Sequence, residues 1–274
     1  MKAAKKITKG TILRNREIAP GIFTMDIKSR WMGKKSRAGQ FVNIKAADDT
    51  TDPLLRIPLG IHKIRGEEIS LLYKVVGAGT KLLSLRSPGG SLDMLGPLGK
   101  GFDVSPVIRR KKAVAVLIAG GHGIAPLFAL AEELTNKMRK VEFFIGACTR
   151  EEITCVEELK KIGAGVRVST DDGSRGERGR VTEMVMEYLS GDGKDAEHGT
   201  IYACGPMPMI RAVQDVSKAT GIPAQVTRDE YMACGIGACR GCAVETTEGV
   251  KLACTDGPVF NAAILKWDKE TVEK

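Results

Sequence analysis

Four of the seven cysteines of the chain lie close together near its C-terminus. Cys234, Cys239 and Cys242 have the spacing Cys-x4-Cys-x2-Cys, and Cys254 follows after eleven intervening residues. Thiolates at this spacing, with a later fourth cysteine, are typical of loops that hold the irons of a [2Fe–2S] cluster. The four cysteines therefore predict an iron–sulfur site.

The residues between and after these cysteines fit the same chemistry. Glycines at positions 235, 237 and 241 let the backbone curl tightly and turn its amide N–H groups towards anionic sulfur. Residues 243–247 and 250–253 are predicted to form a hairpin with a turn at Glu248-Gly249. This hairpin would return Cys254 to the other three cysteines.

Zinc binding and disulfide formation are the two alternative uses of these cysteines. Structural zinc sites usually combine two Cys-x2-4-Cys pairs, whereas here a triplet faces one distant cysteine. Disulfides in a chain of this size imply export, and the basic N-terminal segment lacks the apolar core of a signal peptide. Both alternatives are less favoured than the cluster, and the cytoplasm is the expected compartment.

The composition is that of an ordinary globular protein, with 43% hydrophobic and 27% charged residues. The net charge of +9 is spread along the chain, and only Arg109–Lys112 forms a basic run. Because aromatic residues make up only 5% of the sequence, stacking platforms for nucleic acid are not expected. No apolar run approaches the length of a membrane span. The positive charge fits a pyrophosphate-bearing cofactor or an acidic partner.

From Thr11 to about Phe102, short strands alternate with Gly, Pro and Asp breaks, which predicts a small antiparallel barrel. Its one predicted helix begins at Gly79-Thr80, where free N–H groups could meet an anion. Arg56, in a predicted strand that ends at Pro58, could bind the same phosphate. The predicted strands are Gly21–Ile27, Gln40–Ile44, Leu55–Leu59 and Ile69–Val76.

The second half of the chain has a different pattern. The apolar run Lys112–Ala119 is typical of a buried parallel strand, and it leads through a glycine loop into a helix over Ile124–Leu134. Alternating strands and helices then predict a doubly wound parallel sheet. The further strands are Val141–Gly146, Val166–Thr170 and Thr200–Ala203, and the further helices are Glu151–Lys161, Val181–Leu189 and Pro208–Thr220.

Doubly wound sheets bind ligands at the C-terminal ends of their strands. Three strand ends carry loop chemistry, at 120–123, 170–174 and 204–206. The first, Gly-Gly-His-Gly, could cradle a dinucleotide pyrophosphate, although it is not the Gly-x-Gly-x-x-Gly of a Rossmann dehydrogenase. Cys204 follows an apolar strand, so its thiol is either a packing group or lies beside a reacting ring.

The remaining cysteines and the histidines receive no chemical role. Cys148 and Cys155 are expected to pack in the interior. The histidines at positions 62, 122 and 198 share no spacing with a carboxylate pair or a metal motif, so they are expected to be structural or solvated.

The sequence thus predicts a multidomain β and α/β protein. An antiparallel β-barrel is expected over 1–104, a doubly wound parallel-sheet domain over 105–226 and a small cluster-binding segment over 227–274.

Taken in order, these motifs resemble the ferredoxin-reductase superfamily and, within it, the electron-transfer subunits of the NAD-dependent, two-subunit dihydroorotate dehydrogenases. The resemblance covers nearly the whole chain. It rests on the Arg-x-Pro strand, the Gly-Thr helix start and the cysteine loop. Four further segments carry it: Leu95–Phe102, Ala119–Leu127, Cys204–Pro206 and Asp256–Phe260.

The resemblance implies FAD on the barrel, NAD(H) on the α/β domain and a [2Fe–2S] cluster in the C-terminal segment. Cys234, Cys239, Cys242 and Cys254 match the cluster ligands, and Cys204 would lie near the nicotinamide. The residues assigned to FAD are Arg56, Ile57, Pro58, Leu59, Gly60, Leu72, Tyr73, Lys74, Gly79 and Thr80. Those assigned to NAD(H) are Gly120, Gly121, Gly123, Gly205 and Pro206.

Two positions bear on which relative this chain is closest to in function. The family usually has Arg-Arg-Pro-Ile-Ser where this chain has Arg56-Ile-Pro-Leu-Gly60, so a hydroxyl expected beside the flavin is missing. Backbone groups or a water could substitute for it. Related subunits of ferredoxin:NADP transhydrogenases and of sulfide- or hydrogen-linked reductases in some cases replace the first cluster cysteine by aspartate, and Cys234 argues against those.

The resemblance implies an NAD-linked oxidoreductase subunit of pyrimidine biosynthesis with no acid–base residue of its own. Electrons would come from an FMN-containing dihydroorotate dehydrogenase catalytic subunit, in an assembly of two copies of each subunit. An NAD(P)H:ferredoxin-type or sulfide- or hydrogen-linked reductase subunit is the alternative within the enzyme class. An iron–sulfur redox sensor is the alternative outside it. Thr149-Arg150 fits either the ribose of NAD or the 2′-phosphate of NADP.

Overall fold

The structure is a computed structural model that describes residues 5–46 and 52–267. None of the helices in these two ranges is long and apolar enough to cross a membrane.

Six antiparallel strands in the N-terminal part close into a barrel, as predicted. They are β1 (Lys6–Ala19), β2 (Ile22–Lys28), β3 (Phe41–Ile44), β4 (Ile57–Arg65), β5 (Glu68–Lys74) and β6 (Ser91–Leu98). Around the barrel the order is β1-β2-β5-β4-β3-β6. Met25, Ile27 and Leu71 are among the fully buried residues of its apolar core, so the barrel interior is filled by side chains.

The position of Arg56 differs from the prediction, which placed it in a strand that ends at Pro58. β4 begins at Ile57, one residue after Arg56, and it continues through Pro58. Pro58 pairs with Asn43 of β3, whereas β4 pairs with β5 only from Ile61 onward. The missing N–H of the proline therefore removes no bond on the β5 side, and the strand continues.

The barrel contains one helix more than predicted. α1 (Arg30–Lys35) follows β2, in addition to the expected helix α2 (Ala78–Ser84). Six residues are too few to display a recognisable helical period. The indole N–H of Trp31 donates a hydrogen bond of 3.0 Å to the carbonyl of Gly96, which holds α1 against β6. The prediction of a single helix in this part is therefore wrong.

Strands and helices alternate in the second half, which confirms the predicted doubly wound sheet. Each neighbouring pair among its first six strands is parallel. The strands are β7 (Val114–Gly120), β8 (Lys140–Ala147), β9 (Gly165–Thr170), β10 (Glu177–Arg178), β11 (His198–Cys204) and β12 (Ala224–Thr227). The helices are α3 (Ser105–Ile108), α4 (Ile124–Asn136), α5 (Val156–Lys161), α6 (Val181–Ser190) and α7 (Met207–Thr220).

The helix predicted over Glu151–Lys161 is broken. A 3-10 turn covers Arg150–Glu152, and α5 begins only at Val156. Between them, Cys155 has a left-handed backbone with φ 62°, which is incompatible with a continuous α-helix. The prediction of one helix here is wrong, and the break turns Cys155 towards the barrel.

The C-terminal segment forms a hairpin and a closing strand. β13 (Ala243–Thr246) and β14 (Gly249–Leu252) pair antiparallel, which confirms the predicted hairpin. β15 (Val259–Asn261) then pairs antiparallel with β12 and completes the sheet order β10-β9-β8-β7-β11-β12-β15. The boundaries at 104/105 and 226/227 stay predictions.

The chain changes direction in the sheet between β7 and β11. It builds outward from β7 to β8 and β9, then returns to β11 and β12 on the other side of β7. Such a switch point leaves a crevice at the C-terminal strand ends. The two loops at this point touch backbone to backbone: a Cβ at Gly123 would overlap the carbonyl oxygen of Cys204, and one at Gly120 would lie 2.7 Å from Pro206 Cδ.

We predict that Gly123→Ala lowers the midpoint of thermal unfolding by roughly 5 °C or more, since a clash with backbone costs at least about 2 kcal/mol. Gly60→Ala is the matched control, because its added Cβ would lie 3.6 Å from Pro126 Cδ, an ordinary contact. Calorimetry of both variants measures the difference. Equal midpoints for the two variants would contradict the packing of these loops.

Candidate functional site

The cysteine loop brings its four thiols together as two pairs. Cys234 and Cys239 are in side-chain contact, and so are Cys242 and Cys254. The N–H groups of Ile236 and Cys239 each donate to Cys234 Sγ at 3.4 Å. Positive φ values at Gly235 and Gly237, 68° and 90°, allow the turn that aims these N–H groups inward.

The local electrostatics differ between the two pairs. Burial alone would raise the pKa of Cys234, but the hydrogen bonds from the Cys239 and Ile236 backbone lower it to about 6. Burial, and then the hydrogen bond with the Cys242 thiol, raise the pKa of Cys254 to about 12. Cys234 is therefore a thiolate at neutral pH, the form that binds metal, whereas Cys254 ionises only with a cation beside it.

The spread of the four sulfur atoms does not match one zinc ion. Thiolates on a single tetrahedral zinc, each at about 2.3 Å, lie roughly 3.8 Å from one another. Across residues 5–46 and 52–267, the one group of three His, Cys, Asp or Glu ligand atoms within 4.8 Å of one another lies elsewhere. No three of these four sulfurs therefore approach that closely. Two pairs suit a two-iron cluster, in which each iron takes two thiolates.

The cysteine loop packs directly on the barrel. A Cβ at Gly235 would overlap the side-chain amide of Asn43 on β3. Asn43 is fully buried, and both polar atoms of its side chain lack a hydrogen-bond partner. Buried amides are rarely left unpaired, so this one fits a polar group held between the cysteine loop and β4. Sequence analysis missed Asn43, because no local pattern distinguishes a functional asparagine inside a strand.

The segment assigned to FAD is a half-exposed strand. Ile57 to Gly60 are all partly accessible, although they belong to a barrel strand. Arg56 precedes them, and its Nη1 lies 2.9 Å from Asp93 Oδ1. Nη1 also donates to the backbone carbonyl of Asp93 at 3.3 Å, and the guanidinium retains its other N–H groups for an anion.

The start of α2 meets the same strand. A Cβ at Gly79 would lie 2.5 Å from Ile57 Cδ1, so α2 begins close against this strand, and a side chain at position 79 would have to displace the end of the isoleucine. Thr80 is buried, and its hydroxyl accepts the N–H groups of Val76 and Gly77 at 2.9 and 3.2 Å. The threonine thus shapes the turn before α2 by accepting these two N–H groups.

The second FAD segment offers main chain rather than side chains. Leu72 and Tyr73 are buried, and the Tyr73 hydroxyl donates to Asn15 Oδ1 at 2.9 Å. Burial raises the pKa of Tyr73 to about 12. Lys74 pairs with Glu152 of the α/β half at 2.8 Å. The backbone of this segment pairs with β2 on one side, whereas its other edge lies beyond the last β4 pair at Leu71 and offers main-chain groups to a ligand.

The residues assigned to NAD(H) all lie at the switch point. Gly120 and Gly123 open the loop after β7, with Gly121 between them at φ 52°. Gly205 and Pro206 follow β11 and lie against Gly120. The structure thus brings the two predicted loops together in the crevice where a dinucleotide binds in this class of sheet.

Cys204 ends β11 in the same crevice and is buried. Burial, with the negative charge of Asp229 acting in the same direction, raises the pKa of its thiol far above the ordinary range. The group is therefore a neutral thiol at physiological pH. It can pack beside a ring but cannot act as a thiolate nucleophile.

The remaining cysteines and histidines meet their expectations only in part. Cys148 is exposed, so the prediction that it packs in the interior is wrong. His122 is exposed, and His198 Nε2 lies 2.9 Å from the carbonyl of Gly193, as expected for solvated and structural residues. His62 is fully buried, and burial lowers its pKa to about 4.

Two family models match the chain. Residues 229–266 match the iron–sulfur cluster binding domain of dihydroorotate dehydrogenase B, and residues 117–215 match the oxidoreductase NAD-binding domain. These matches confirm the predicted iron–sulfur cluster and NAD(H) at the level of domains.

Solved structures with the same fold include ferredoxin reductases. A chain of the NADH-dependent reduced ferredoxin-NADP oxidoreductase, studied for flavin-based electron bifurcation, superposes with a TM-score of 0.82 at 28% identity, over 96% of this chain and 92% of that one. The ferredoxin reductase of carbazole 1,9a-dioxygenase gives a TM-score of 0.65 at 19% identity, over 80% and 67% of the two chains. The predicted ferredoxin-reductase fold is confirmed, and with it FAD as the third cofactor of the set.

Similar curated proteins extend over almost the whole chain. The dihydroorotate dehydrogenase B (NAD(+)) electron transfer subunit of Desulforamulus reducens is 35% identical over 269 residues, covering 96% of this chain and 99% of that protein. Its counterparts in Bacillus pumilus and Fusobacterium nucleatum are 37% and 35% identical over 92% and 94% of this chain, and over 95% and 98% of their own lengths. On this identity and coverage, the chain belongs to the family of dihydroorotate dehydrogenase B (NAD(+)) electron transfer subunits.

Proposed function

We propose that this protein passes electrons from a dihydroorotate-oxidising catalytic subunit, through a [2Fe–2S] cluster and FAD, to NAD⁺ in pyrimidine biosynthesis. The observation that carries the proposal is the pairing of four cysteines in a loop that packs on the FAD-type barrel. A nicotinamide exchanges electrons in pairs as hydride and a cluster exchanges them singly, whereas a flavin does both.

The cluster ligands in this proposal are Cys234, Cys239, Cys242 and Cys254. Backbone N–H groups on Cys234 supply the hydrogen bonds that tune a cluster's reduction potential. Asn43 offers a further amide from the barrel side.

For FAD, we assign the strand Arg56 to Gly60, the backbone of Leu72 to Lys74, and Gly79 with Thr80. Arg56 supplies the positive charge for the pyrophosphate, and the glycine at 79 lets the turn before α2 approach the same strand. A Cβ at Gly60 would make only an ordinary contact with Pro126. Packing therefore does not explain why this chain has glycine where the family usually has serine.

For NAD(H), we assign Gly120, Gly121, Gly123, Gly205 and Pro206 to the dinucleotide and Cys204 to the side of the nicotinamide. The support is their convergence at the switch point of the sheet. The thiol of Cys204 is neutral and polarisable. It can therefore contact the nicotinamide ring without placing a charge beside the transferred hydride.

The partner that we propose is an FMN-containing dihydroorotate dehydrogenase catalytic subunit, two copies with two of this chain, in the cytoplasm. Beside the cysteine loop, Tyr231 and Ile236 expose 91% and 46% of their surfaces, and Cys239 is exposed as well. Exposed apolar side chains next to the cluster ligands favour docking of a partner protein, which would bring its redox group close to the cluster. A reducing compartment keeps the four thiols free for iron.

A second candidate function is that of a subunit in ferredoxin-NADP(H) electron exchange. The TM-score of 0.82 with a chain of the NADH-dependent reduced ferredoxin-NADP oxidoreductase supports it. The two candidate functions therefore differ in the partner: a dihydroorotate-oxidising subunit in the first, and ferredoxin in the second.

Replacing Cys239 by serine should remove the cluster and leave FAD bound, because the barrel has its own apolar core. Cys148→Ser is the matched control, since that thiol is also exposed but lies outside the loop. Iron, sulfide and flavin are measured in each purified variant. Full iron and sulfide in Cys239→Ser would contradict the ligand assignment.

Replacing Arg56 by alanine should weaken FAD binding tenfold to a hundredfold, since a hydrogen bond to a charged phosphate contributes about 1.5–3 kcal/mol. Asp93→Asn is the control, because it removes the carboxylate that pairs with Arg56 but keeps the shape of that side chain and the arginine itself. Flavin retention through gel filtration and FAD titration are the measurements. FAD binding that is equal in Arg56→Ala and the parent chain would argue against this placement.

The partnership has its own test. The chain alone should reduce a dye with NADH and should not oxidise dihydroorotate, because no acid or base on it handles that substrate. With the catalytic subunit purified from the same cells, dihydroorotate-dependent NAD⁺ reduction should appear. A complex that ignores dihydroorotate but serves ferredoxin would favour the second candidate, and oxidation of dihydroorotate by the chain alone would refute the relay.

Two charge variants locate the docking surface in the same assay. Ile236→Glu should weaken the complex about tenfold or more, as expected for a charge placed in an apolar contact. Met138→Glu is the control, since Met138 is 88% exposed and lies between α4 and the N-terminal end of β8, the end of the sheet opposite the crevice. Dye reduction should be unchanged in both. Equal effects of the two variants on the complex would place the contact elsewhere.

A further inference from the structure

A group of three metal-type ligands lies outside the cofactor sites, between the barrel and the α/β half. His62 belongs to β4, whereas Cys155 directly precedes α5 and Glu158 lies in its first turn. One ligand atom from each of the three lies within 4.8 Å of the other two, and His62 Nε2 is 3.9 Å from Cys155 Sγ. Sulfur and nitrogen ligands on one tetrahedral zinc are roughly 3.5 Å apart, so a small movement suffices to bind the ion.

The histidine ring is oriented as a ligand. Its Nδ1 lies 3.1 Å from the carbonyl oxygen of Ala125, which can only accept, so Nδ1 carries the proton. The lone pair of the neutral ring is then on Nε2, the atom that faces Cys155. A backbone carbonyl on the far nitrogen is the usual support of a metal-binding histidine.

The backbone at Cys155 is bent to bring its sulfur to this place. A non-glycine residue at φ 62° is uncommon and costs free energy, and here it interrupts what the sequence predicts as a continuous helix. In this conformation its sulfur lies 3.9 Å from His62 Nε2.

The carboxylate can serve two partners. Glu158 Oε2 accepts from Lys63 Nζ at 2.9 Å, which leaves Oε1 for a cation. A thiolate and a carboxylate together balance the charge of a divalent ion, and Lys63 then remains as one excess positive charge. The lysine therefore lowers the affinity without blocking the site.

We propose that His62, Cys155 and Glu158 form a zinc site that ties the barrel to the α/β half. One soft and two harder ligands are the donor types that zinc accepts. The fourth position opens into a cleft of about 560 Å³, which His62, Cys155 and Glu158 also line, so a water completes the tetrahedron.

The test uses the complete chain with its cluster and FAD in place, treated with zinc sulfate and freed of excess metal. We expect one retained zinc per chain. Its extended X-ray absorption fine structure should show one sulfur and three nitrogen or oxygen neighbours. Zinc should also raise the midpoint of thermal unfolding. Four sulfur neighbours would show zinc in the cysteine loop instead and would overturn the proposal.

Variants make the assignment specific. Cys155→Ala should abolish retention, and Glu158→Gln, which preserves the side-chain shape, should weaken it at least about tenfold. Cys148→Ala is the matched control and should retain zinc as the parent does, because that exposed thiol lies outside the group. Retention that is equal in all variants refutes the site, as does a rise in the unfolding midpoint that survives in both Cys155→Ala and Glu158→Gln.

Discussion

The contact between the cysteine loop and the barrel is the constraint on which the rest of the arrangement depends. Gly235 lies so close to Asn43 that no side chain fits between them, and a Cβ at Gly99 would reach Gly257 O at 2.8 Å. β15 then fixes the same segment to the sheet through its pairing with β12. The rate of electron transfer between redox groups falls steeply with their distance. The close approach that these glycines allow therefore matters more for function than for stability.

The strand after Arg56 lies between the two electron-carrying sides of the molecule. Pro58 pairs with Asn43, the residue that meets the cysteine loop. Two residues further, Gly60 faces Pro126 at the start of α4, directly after the glycine loop of the sheet. One short strand therefore contacts both the cluster side and the nicotinamide side, which is where a group that exchanges electrons singly and in pairs has to lie.

The features that the sequence predicts well are those set by neighbours in the chain. Cysteine spacing reports ligand geometry directly, and the change from short strands to alternating β and α predicts the two sheets. The Arg56 to Asp93 pair, the buried amide of Asn43 and the approach of Cys155 to His62 each join residues distant in sequence. They depend on the register of the closed barrel and on how it meets the sheet, which no local pattern records. Where local preference fails, as at Cys155, a tertiary contact has prevailed over the helical pattern.

The two interfaces of the barrel differ in kind. Towards the cysteine loop the contact is made by glycines and by shared apolar residues such as Phe41 and Leu98, with little room for movement. Towards the α/β half, ion pairs between described residues cross beside the apolar contacts, among them Lys63 with Glu158, Arg65 with Glu132, and Lys74 with Glu152. In each pair one side chain is more than a third exposed, so the pair contributes little to stability by itself. The cluster side is therefore held by close packing, whereas the nicotinamide side combines an apolar contact with charged pairs and with the group of His62, Cys155 and Glu158.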